Sequence, residues 1–356
     1  MVPADSSAQQ HAHRKENNKE SAQTPTDTGR LPPLVPVFYT IPMKLIVLDG
    51  WSLNPGDLSW DDFRQLADIT VYNRTPPELV IDRITGADAI LLNKVAISDA
   101  ILAACPTVRY IGVLATGYNV VDTAAAQKRG VIVTNIPGYS TNAVAQHVFA
   151  FILSFASQVA RHAASVQNGD WMVSKDFCYW MTPLTELNGK TLGVFGYGEI
   201  GRRVADIGRA FGMNVICTAH HPSPDIPNCV PVAELFARSD FLTLHAPLTA
   251  ETAQTVNART LALMKQGAYL INTARGALVD EQAVADALAS GQLAGYACDV
   301  LTAEPMRSDC PLRDAPNCLI TPHIAWAPYE ARRRLMDRAV RNYAAFLHGA
   351  PENVVS

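Results

Sequence analysis

The chain has 356 residues, 48% of them hydrophobic and 17% charged, with a formal net charge of −4. That length exceeds one ordinary domain and supplies a sizeable core, so two domains are expected. It has no long basic block for a nucleic-acid surface and no lysine-rich amphipathic helix for a membrane surface, and no apolar run approaches the roughly 20 residues of a bilayer span.

Residues 1–42 read as a disordered leader. Met1 to Arg30 is rich in Ser, Gln, Asn, Lys, Glu and Thr and poor in aromatics, so it cannot bury enough surface to order itself. It lacks the apolar core of a secretory signal. Met43 directly precedes the first strand-like run, which makes it a candidate initiator. Seven cysteines stand singly (Cys105, Cys178, Cys217, Cys229, Cys298, Cys310, Cys318) with no CxxC pair. They read as reduced thiols in a cytoplasmic protein, and no metal site is expected.

From residue 44 onward, short apolar runs alternate with helical patterns. Strands are expected at Leu45–Leu48, Ala89–Leu92, Tyr110–Leu114, Val131–Val133, Leu192–Phe195, Val215–Thr218, Phe241–Leu244, Ala268–Ile271, Tyr296–Cys298 and Leu319–Ile320. They are apolar throughout rather than alternating, as strands are when helices cover both faces of a parallel sheet. Helices are expected at Gly201–Phe211, Val232–Ser239, Asp280–Ser290 and Tyr329–His348. A longer one is expected over Asn142–Asn168, with Asn142 or Thr141 as N-cap and Val144, Val148, Phe151, Ile152, Phe155 and Val159 on one face. This alternation predicts an α/β protein of two doubly wound parallel-sheet domains. The long helix marks the change of domain: residues 43–142 and 322–356 form one, residues 143–321 the other.

Gly196-Tyr197-Gly198-Glu199-Ile200-Gly201 is a GxGxxG between an expected strand and an expected helix, the context in which that motif binds a dinucleotide. Gly196 would make the turn, Gly198 admit the pyrophosphate and Gly201 let the helix pack on the strand. The helix N-terminus would then face the phosphates. At the end of the next strand, where NAD enzymes carry an acid for the ribose, the chain reads Ala219-His220-His221. NAD and NADP are both expected as cofactors, with NADP slightly favoured by the missing acid at Ala219. The two histidines read equally well as exposed loop residues.

Reduction of a 2-keto acid needs a cation for the carboxylate, a proton donor for the carbonyl oxygen and a partner that keeps the donor protonated. Arginine, histidine and a carboxylate suit these needs. Arg275, Glu304 and His323 each follow the end of an expected strand, where open α/β sheets bind ligands. Singly they also read as a solvated arginine, a helix-start carboxylate and a structural histidine. Together they form the expected catalytic set.

The collinear pieces Leu92-Asn93-Lys94-Val95, Ala115-Thr116-Gly117-Tyr118-Asn119, Val144-Ala145-Gln146, the glycine loop, Leu244-His245-Ala246-Pro247-Leu248, Thr273-Ala274-Arg275-Gly276, Asp299-Val300, Glu304-Pro305 and Thr321-Pro322-His323-Ile324-Ala325 resemble the D-isomer-specific 2-hydroxyacid dehydrogenase family over residues 43 to 356. Asn93-Lys94 with Ala115–Asn119 most resembles its glycerate dehydrogenase, or hydroxypyruvate reductase, branch. The resemblance implies a Rossmann-type cofactor domain and a flavodoxin-like substrate domain with a cleft between them, and a homodimer through the cofactor domain. It implies that Arg275 binds carboxylate and carbonyl, that His323 is the general acid and that Glu304 pairs with it. It puts Asn93, Lys94, Thr116 and Gly117 around the substrate, a small 2-keto or 2-hydroxy acid. Pro247, Thr273 and Asp299 would flank the nicotinamide, and His245, Thr252, Ala274 and Arg275 complete the cofactor set with Gly196–Gly201, Ala219 and His220. Trp326 would either narrow the pocket or serve packing. Some relatives on this fold act as NAD(H)-sensing corepressor scaffolds, the alternative reading. An assay with hydroxypyruvate and glyoxylate separates the two.

Overall fold

The computed structural model describes residues 42–221 and 226–355. The predicted leader therefore lies almost wholly outside the described residues. Among the described residues, eleven strands form two fully parallel sheets, one in each of two α/β domains. The first holds β1 (Lys44–Val47), β2 (Asp68–Val71), β3 (Ala89–Leu92), β4 (Tyr110–Val113) and β5 (Ile132–Thr134), in the order β2-β1-β3-β4-β5. That is the flavodoxin-like order.

Successive residues of β1 serve opposite faces of this sheet. Leu45 and Val47 join Leu91 and Tyr110 in one apolar layer, while Ile46 joins Ile90, Ile111 and Val133 in the other. The connecting helices are α1 (Asp61–Arg64), α2 (Val80–Ile84), α3 (Asp99–Ala104) and α4 (Thr123–Lys128). Ser98 and Asp122 cap α3 and α4 by accepting from Ile101 N–H and Ala125 N–H. Strand β2 was not expected from the sequence. Its four residues alternate exposed and half-buried, as an edge strand does, and so make no continuous apolar run.

The second sheet follows two helices, α5 (Thr141–Ser157) and α6 (Val159–Gln167). They correct the single long helix expected from the sequence. Gln158 takes a left-handed conformation (φ 48°) and the axes bend by 54°. The face of α5 made by Val148, Phe151, Ile152 and Phe155 packs on Leu192, Val194 and Ile271. Val159, placed on that face by periodicity, is 69% exposed. Ser140, not Thr141 or Asn142, occupies the N-cap, without a side-chain bond. Among the described residues no single helix is long and apolar enough to cross a membrane.

The remaining strands are β6 (Thr191–Phe195), β7 (Asn214–Thr218), β8 (Phe241–Leu244), β9 (Ala268–Asn272), β10 (Leu293–Cys298) and β11 (Cys318–Ile320), in the order β11-β10-β9-β8-β6-β7. Between them run α7 (Glu199–Ala210), α8 (Val232–Arg238), α9 (Ala258–Leu261) and α10 (Glu281–Ala289). Helices α5 and α7 cover one face of this sheet and α8, α9 and α10 the other. The strand order reverses beside β6, which opens a crevice at its carboxyl end. Helix α11 (Tyr329–Leu347) returns to the first sheet, where Leu335, Met336, Ala339, Val340 and Tyr343 pack on the layer of Leu45 and Tyr110. The Arg332 guanidinium fixes that return. It donates to both oxygens of Asp57 and to Leu53 O.

Candidate active site

Each glycine of the loop after β6 answers a different steric demand. Gly196 has φ +96°, and a Cβ there would lie 2.6 Å from Ala246 N, so only glycine fits. A Cβ on Gly201 would lie 2.2 Å from Gly196 O, which is what lets α7 start flush against β6. Gly198 is the N-cap of α7, and nothing lies within 4 Å of its Cβ direction. The N-terminal N–H groups of a 12-residue helix therefore open onto free space, the arrangement that receives a pyrophosphate.

The other residues expected around the cofactor are distributed as follows. Arg209 Nη2 donates to Tyr197 Oη at 3.2 Å and Arg202 Nη1 to Tyr197 O at 3.2 Å. Ile200, in the first turn of α7, is half-buried against the apolar layer under that helix. The Glu199 carboxylate turns toward the first domain, where it accepts from Thr141 Oγ1 at 3.3 Å beside Gly138. Ala219 and His220 follow β7, and the rings of His220 and His221 meet edge-on at 4.4 Å, exposed. Thr252 Oγ1 donates to Pro247 O at 2.7 Å and accepts from Thr249 N–H at 2.8 Å, which closes the turn after β8.

Two buried polar atoms near the glycine loop have no hydrogen-bond partner among the described residues: His245 Nε2 and Thr273 Oγ1. Part of His245 reaches the surface, but its ring is enclosed, and burial pushes its pKa down to about 3. Both residues directly follow neighbouring strands, β8 and β9, beside the crevice. Unsatisfied buried polar atoms are rare and call for a partner. Together with the open face of Gly198, they fit a polar cofactor in this crevice.

Asn272, buried at the end of β9, shapes the arginine loop. Its Oδ1 accepts from Ala274 N–H at 3.0 Å and its Nδ2 donates to Arg275 O at 2.9 Å. Arg275 Nη1 donates to Ala274 O at 2.7 Å, and Nη2 lies 2.7 Å from where a Gly117 Cβ would be. The guanidinium thus reaches across to the first domain. A Cβ on Gly276 would stand 1.9 Å from the carbonyl carbon of Leu301, so the arginine loop is pressed against the loop that carries Glu304.

His323 Nδ1 and Glu304 Oε2 are 2.7 Å apart. This leaves the other ring nitrogen, Nε2, without a partner among the described residues. Burial pushes the Glu304 carboxyl up, but bonds from His323 and Leu301 N–H and the charge of Lys94 outweigh it and hold it below the usual range. His323 has φ 56°, the left-handed region that side chains seldom adopt. Asp299, 1% exposed, stabilises that turn. Its Oδ1 accepts from Ile324 N–H at 2.8 Å and Thr321 Oγ1 at 2.5 Å, and its Oδ2 accepts from Ala325 N–H at 2.7 Å. The threonine hydroxyl in turn pairs with His147 Nε2 at 3.0 Å. Trp326 Nε1 donates to His323 O at 2.9 Å, and its ring meets Tyr139 edge-on at 6.5 Å. These contacts make Trp326 part of the packing behind the histidine.

From the first domain, Thr116 Oγ1 donates to Ile136 O at 2.9 Å, and Asn135 Nδ2 donates to Thr116 O at 2.7 Å. Asn93 and Lys94 follow β3. Desolvation holds the Lys94 ammonium below the usual lysine range, and its charge is felt by both Glu304 and Arg275. Four residues outside the expected set support this site: Asp49, Asn272, His147 and Thr321. Asn272 acts within its own loop, whereas Asp49, which accepts from Asn93 and Lys94 N–H, His147 and Thr321 act through residues distant in sequence, which no local pattern announces.

The sequence pattern of the D-isomer specific 2-hydroxyacid dehydrogenase NAD binding domain matches residues 149–325. A hydroxypyruvate reductase of Blautia hydrogenotrophica is 45% identical over 321 residues, covering 88% of this chain and 100% of the relative. The chain belongs to the D-isomer-specific 2-hydroxyacid dehydrogenase family. A glycerate dehydrogenase of Methylorubrum extorquens is 39% identical over 315 residues (88% and 98%), which places this dehydrogenase near that branch. The crystal structure of an NADPH-dependent glyoxylate/hydroxypyruvate reductase from Sinorhizobium meliloti, in complex with NADP and malonate, superposes with a TM-score of 0.76 at 26% identity (88% and 97%).

Proposed function

We propose that this dehydrogenase interconverts a small 2-keto acid and its D-2-hydroxy acid, with hydroxypyruvate/D-glycerate or glyoxylate/glycolate as the preferred pair. The observation that carries this reading is the 2.7 Å His323–Glu304 pair, set in the crevice that Arg275 and the glycine loop share. Residues 43–142 with 322–356 form the substrate half, and residues 143–321 the cofactor half.

Arg275 grips the substrate carboxylate with its planar fork and polarises the carbonyl. His323 delivers the Nε2 proton to the carbonyl oxygen in reduction and takes it back in oxidation. Glu304 holds Nδ1, which fixes the ring and stabilises its charged form. Gly117 leaves room for the arginine, and the loops of Asn93–Lys94 and Thr116–Gly117 close over the substrate and exclude water. The nicotinamide cofactor, when bound, supplies or accepts the hydride. Gly196–Gly201 would hold its pyrophosphate, with His245, Pro247, Thr252, Thr273, Ala274 and Asp299 toward its nicotinamide end.

NADP is slightly favoured over NAD. The three residues directly after β7, Ala219-His220-His221, include no acid to repel a 2′-phosphate, and His220 and His221 stand exposed there. A homodimer through the cofactor half is supported by its bare apolar stretch, in which Trp171, Met172, Val173, Phe177 and Trp180 are all more than half exposed, as interface side chains are in an isolated protomer. Seven unpaired thiols fit a reducing, cytoplasmic setting. Steady-state kinetics with NADH and NADPH across glyoxylate, pyruvate and hydroxypyruvate test the reading. Reduction of at least one acid, lost in Arg275→Leu, is expected. No turnover with any of them contradicts it.

A further inference from the structure

Two thiols outside the crevice are paired across the edge of the second sheet. β7 is the outermost strand there, and Cys217 is its last residue but one. The chain leaves the strand at Ala219 and comes back along its outer edge. Cys217 N–H donates to Asn228 O at 3.1 Å, Val230 N–H donates to Cys217 O at 2.9 Å, and Asn228 Nδ2 donates to Val215 O at 3.1 Å. These bonds make Cys217 and Cys229 direct partners in parallel register. Both side chains lie in the apolar layer under α7, together with Tyr197 of the glycine loop. Paired strands stand about 4.8 Å apart, inside the roughly 4.4–6.8 Å that a disulfide spans between its Cα atoms. The two sulfurs can therefore bond without a change of register.

The surroundings give the two thiols unequal parts. Cys217 is fully buried, and burial, followed by the neighbouring Cys229 thiol, pushes its pKa up to about 11. Cys229 is half-buried, so an oxidant meets it first. Its thiolate attacks hydrogen peroxide: an S–O bond forms, the O–O bond breaks and hydroxide leaves. The Cys217 sulfur then displaces hydroxide from that sulfenic acid, and the S–S bond forms as the S–O bond breaks. Both thiol protons end in water, so two thiols and one peroxide give one disulfide and two waters. Little Cys217 is thiolate at neutral pH, but its attack is intramolecular and its target is already in register.

The end of β7 connects this pair to the cofactor crevice. Thr218 O, one residue on from Cys217, accepts from Gly196 N–H at 3.2 Å. Ala219-His220-His221 opens the loop whose base the two cysteines form. Resting on the cofactor placement above, we propose that Cys217 and Cys229 are an oxidative modification site, which hydrogen peroxide closes into a disulfide that weakens NAD(P)H binding. A covalent bond brings the sulfurs closer than contact allows. It draws in the base of the loop that would meet the ribose and pulls on the strand end bonded to Gly196.

The test treats the reduced full-length protein with hydrogen peroxide, desalts it, alkylates it unfolded and digests it with trypsin. Residues 210–238 form one tryptic peptide that holds these two cysteines and no other. After treatment it is expected without alkyl label and lighter by two hydrogens. Titration of the treated protein with NADH and NADPH should show affinity about tenfold lower, the worth of one charge-assisted hydrogen bond. Dithiothreitol should restore both thiols and affinity. Cys217→Ser and Cys229→Ser, treated alike, should keep their affinity, and if one does not fold the other decides. A doubly alkylated peptide after treatment overturns the proposal. So does unchanged affinity in the disulfide-bonded protein, or an equal loss in the serine variants. Reduced protein that binds neither NADH nor NADPH refutes the cofactor placement and the proposal with it, a failure visible before any peroxide is added.

Discussion

Replacing Asp299 by asparagine isolates the support under the general acid. In the native turn its two oxygens accept three hydrogen bonds, from Thr321 Oγ1, Ile324 N–H and Ala325 N–H, at 2.5, 2.8 and 2.7 Å. Asparagine keeps the shape but offers only one acceptor oxygen. With that oxygen in the place of Oδ1, two bonds survive without their charge assistance, and the new amide N–H₂ faces Ala325 N–H, donor against donor. Leaving one buried N–H unpaired costs about 1–3 kcal/mol, and each weakened bond about 0.5–1 kcal/mol more. The sum is about 2–5 kcal/mol, a large share of the roughly 5–15 kcal/mol that holds a domain folded.

The penalty falls on the one turn that keeps His323 in its left-handed conformation (φ 56°). The imidazole should therefore lose its alignment before the fold is lost. We expect Asp299→Asn to melt roughly 5–10 °C lower, and kcat to fall about tenfold or more, since small misplacements of a catalytic group are costly. Differential scanning fluorimetry and steady-state kinetics read the two effects. A melting point within a degree of the wild type together with an unchanged kcat would refute the reasoning.

Other substitutions probe the loops around the crevice. Gly198→Ala meets nothing within 4 Å in the protein, so it should leave the melting point alone and weaken NAD(P)H binding about tenfold or more by intruding on the phosphate site, as read by cofactor fluorescence. Gly201→Ala drives a methyl to 2.2 Å from Gly196 O and should cost about 1–3 kcal/mol in denaturant unfolding. Gly276→Ala forces the arginine loop away from Leu301, so kcat should drop together with stability. His245, whose pKa lies at about 3 against 6.5 in the free side chain, refuses a proton that the unfolded chain accepts. Its contribution to stability is therefore full above pH 6.5 and is lost as the pH falls toward 3. Thermal melts of the cofactor-free protein should show a shallower acid-side decline in His245→Gln, and an identical decline would contradict that assignment.

Much of the fold was legible because a strand covered on both faces leaves an unbroken apolar run, as β3 and β4 do. Strand β2 escaped notice since Asp68 and Thr70 alternate with Ile69 and Val71 on an exposed edge. The bend at Gln158 was hidden because a left-handed glutamine has no sequence mark of its own, unlike glycine. Its position is set by where the core under Phe155 ends. Arg275, Glu304 and His323 could be picked out because each follows a strand end. Asp49, 44 residues from Asn93 in sequence, and Asp299, 25 residues from Ile324, become meaningful only when parallel strands bring their carboxyl ends together. The inward turn of Glu199 toward Thr141 was likewise invisible, as it depends on how the two domains meet.

The central claim is that one guanidinium and one carboxylate-backed imidazole act on the same substrate carbonyl. Single-turnover reduction of hydroxypyruvate, with enzyme in excess over NAD(P)H and cofactor affinity measured in parallel, tests it most directly. The account predicts that His323→Gln slows the turnover by about 10²–10⁴-fold and Arg275→Leu by about 10² or more, with cofactor affinity essentially intact in both. Unimpaired reduction in either variant, or cofactor binding lost in step with the rate, would contradict it.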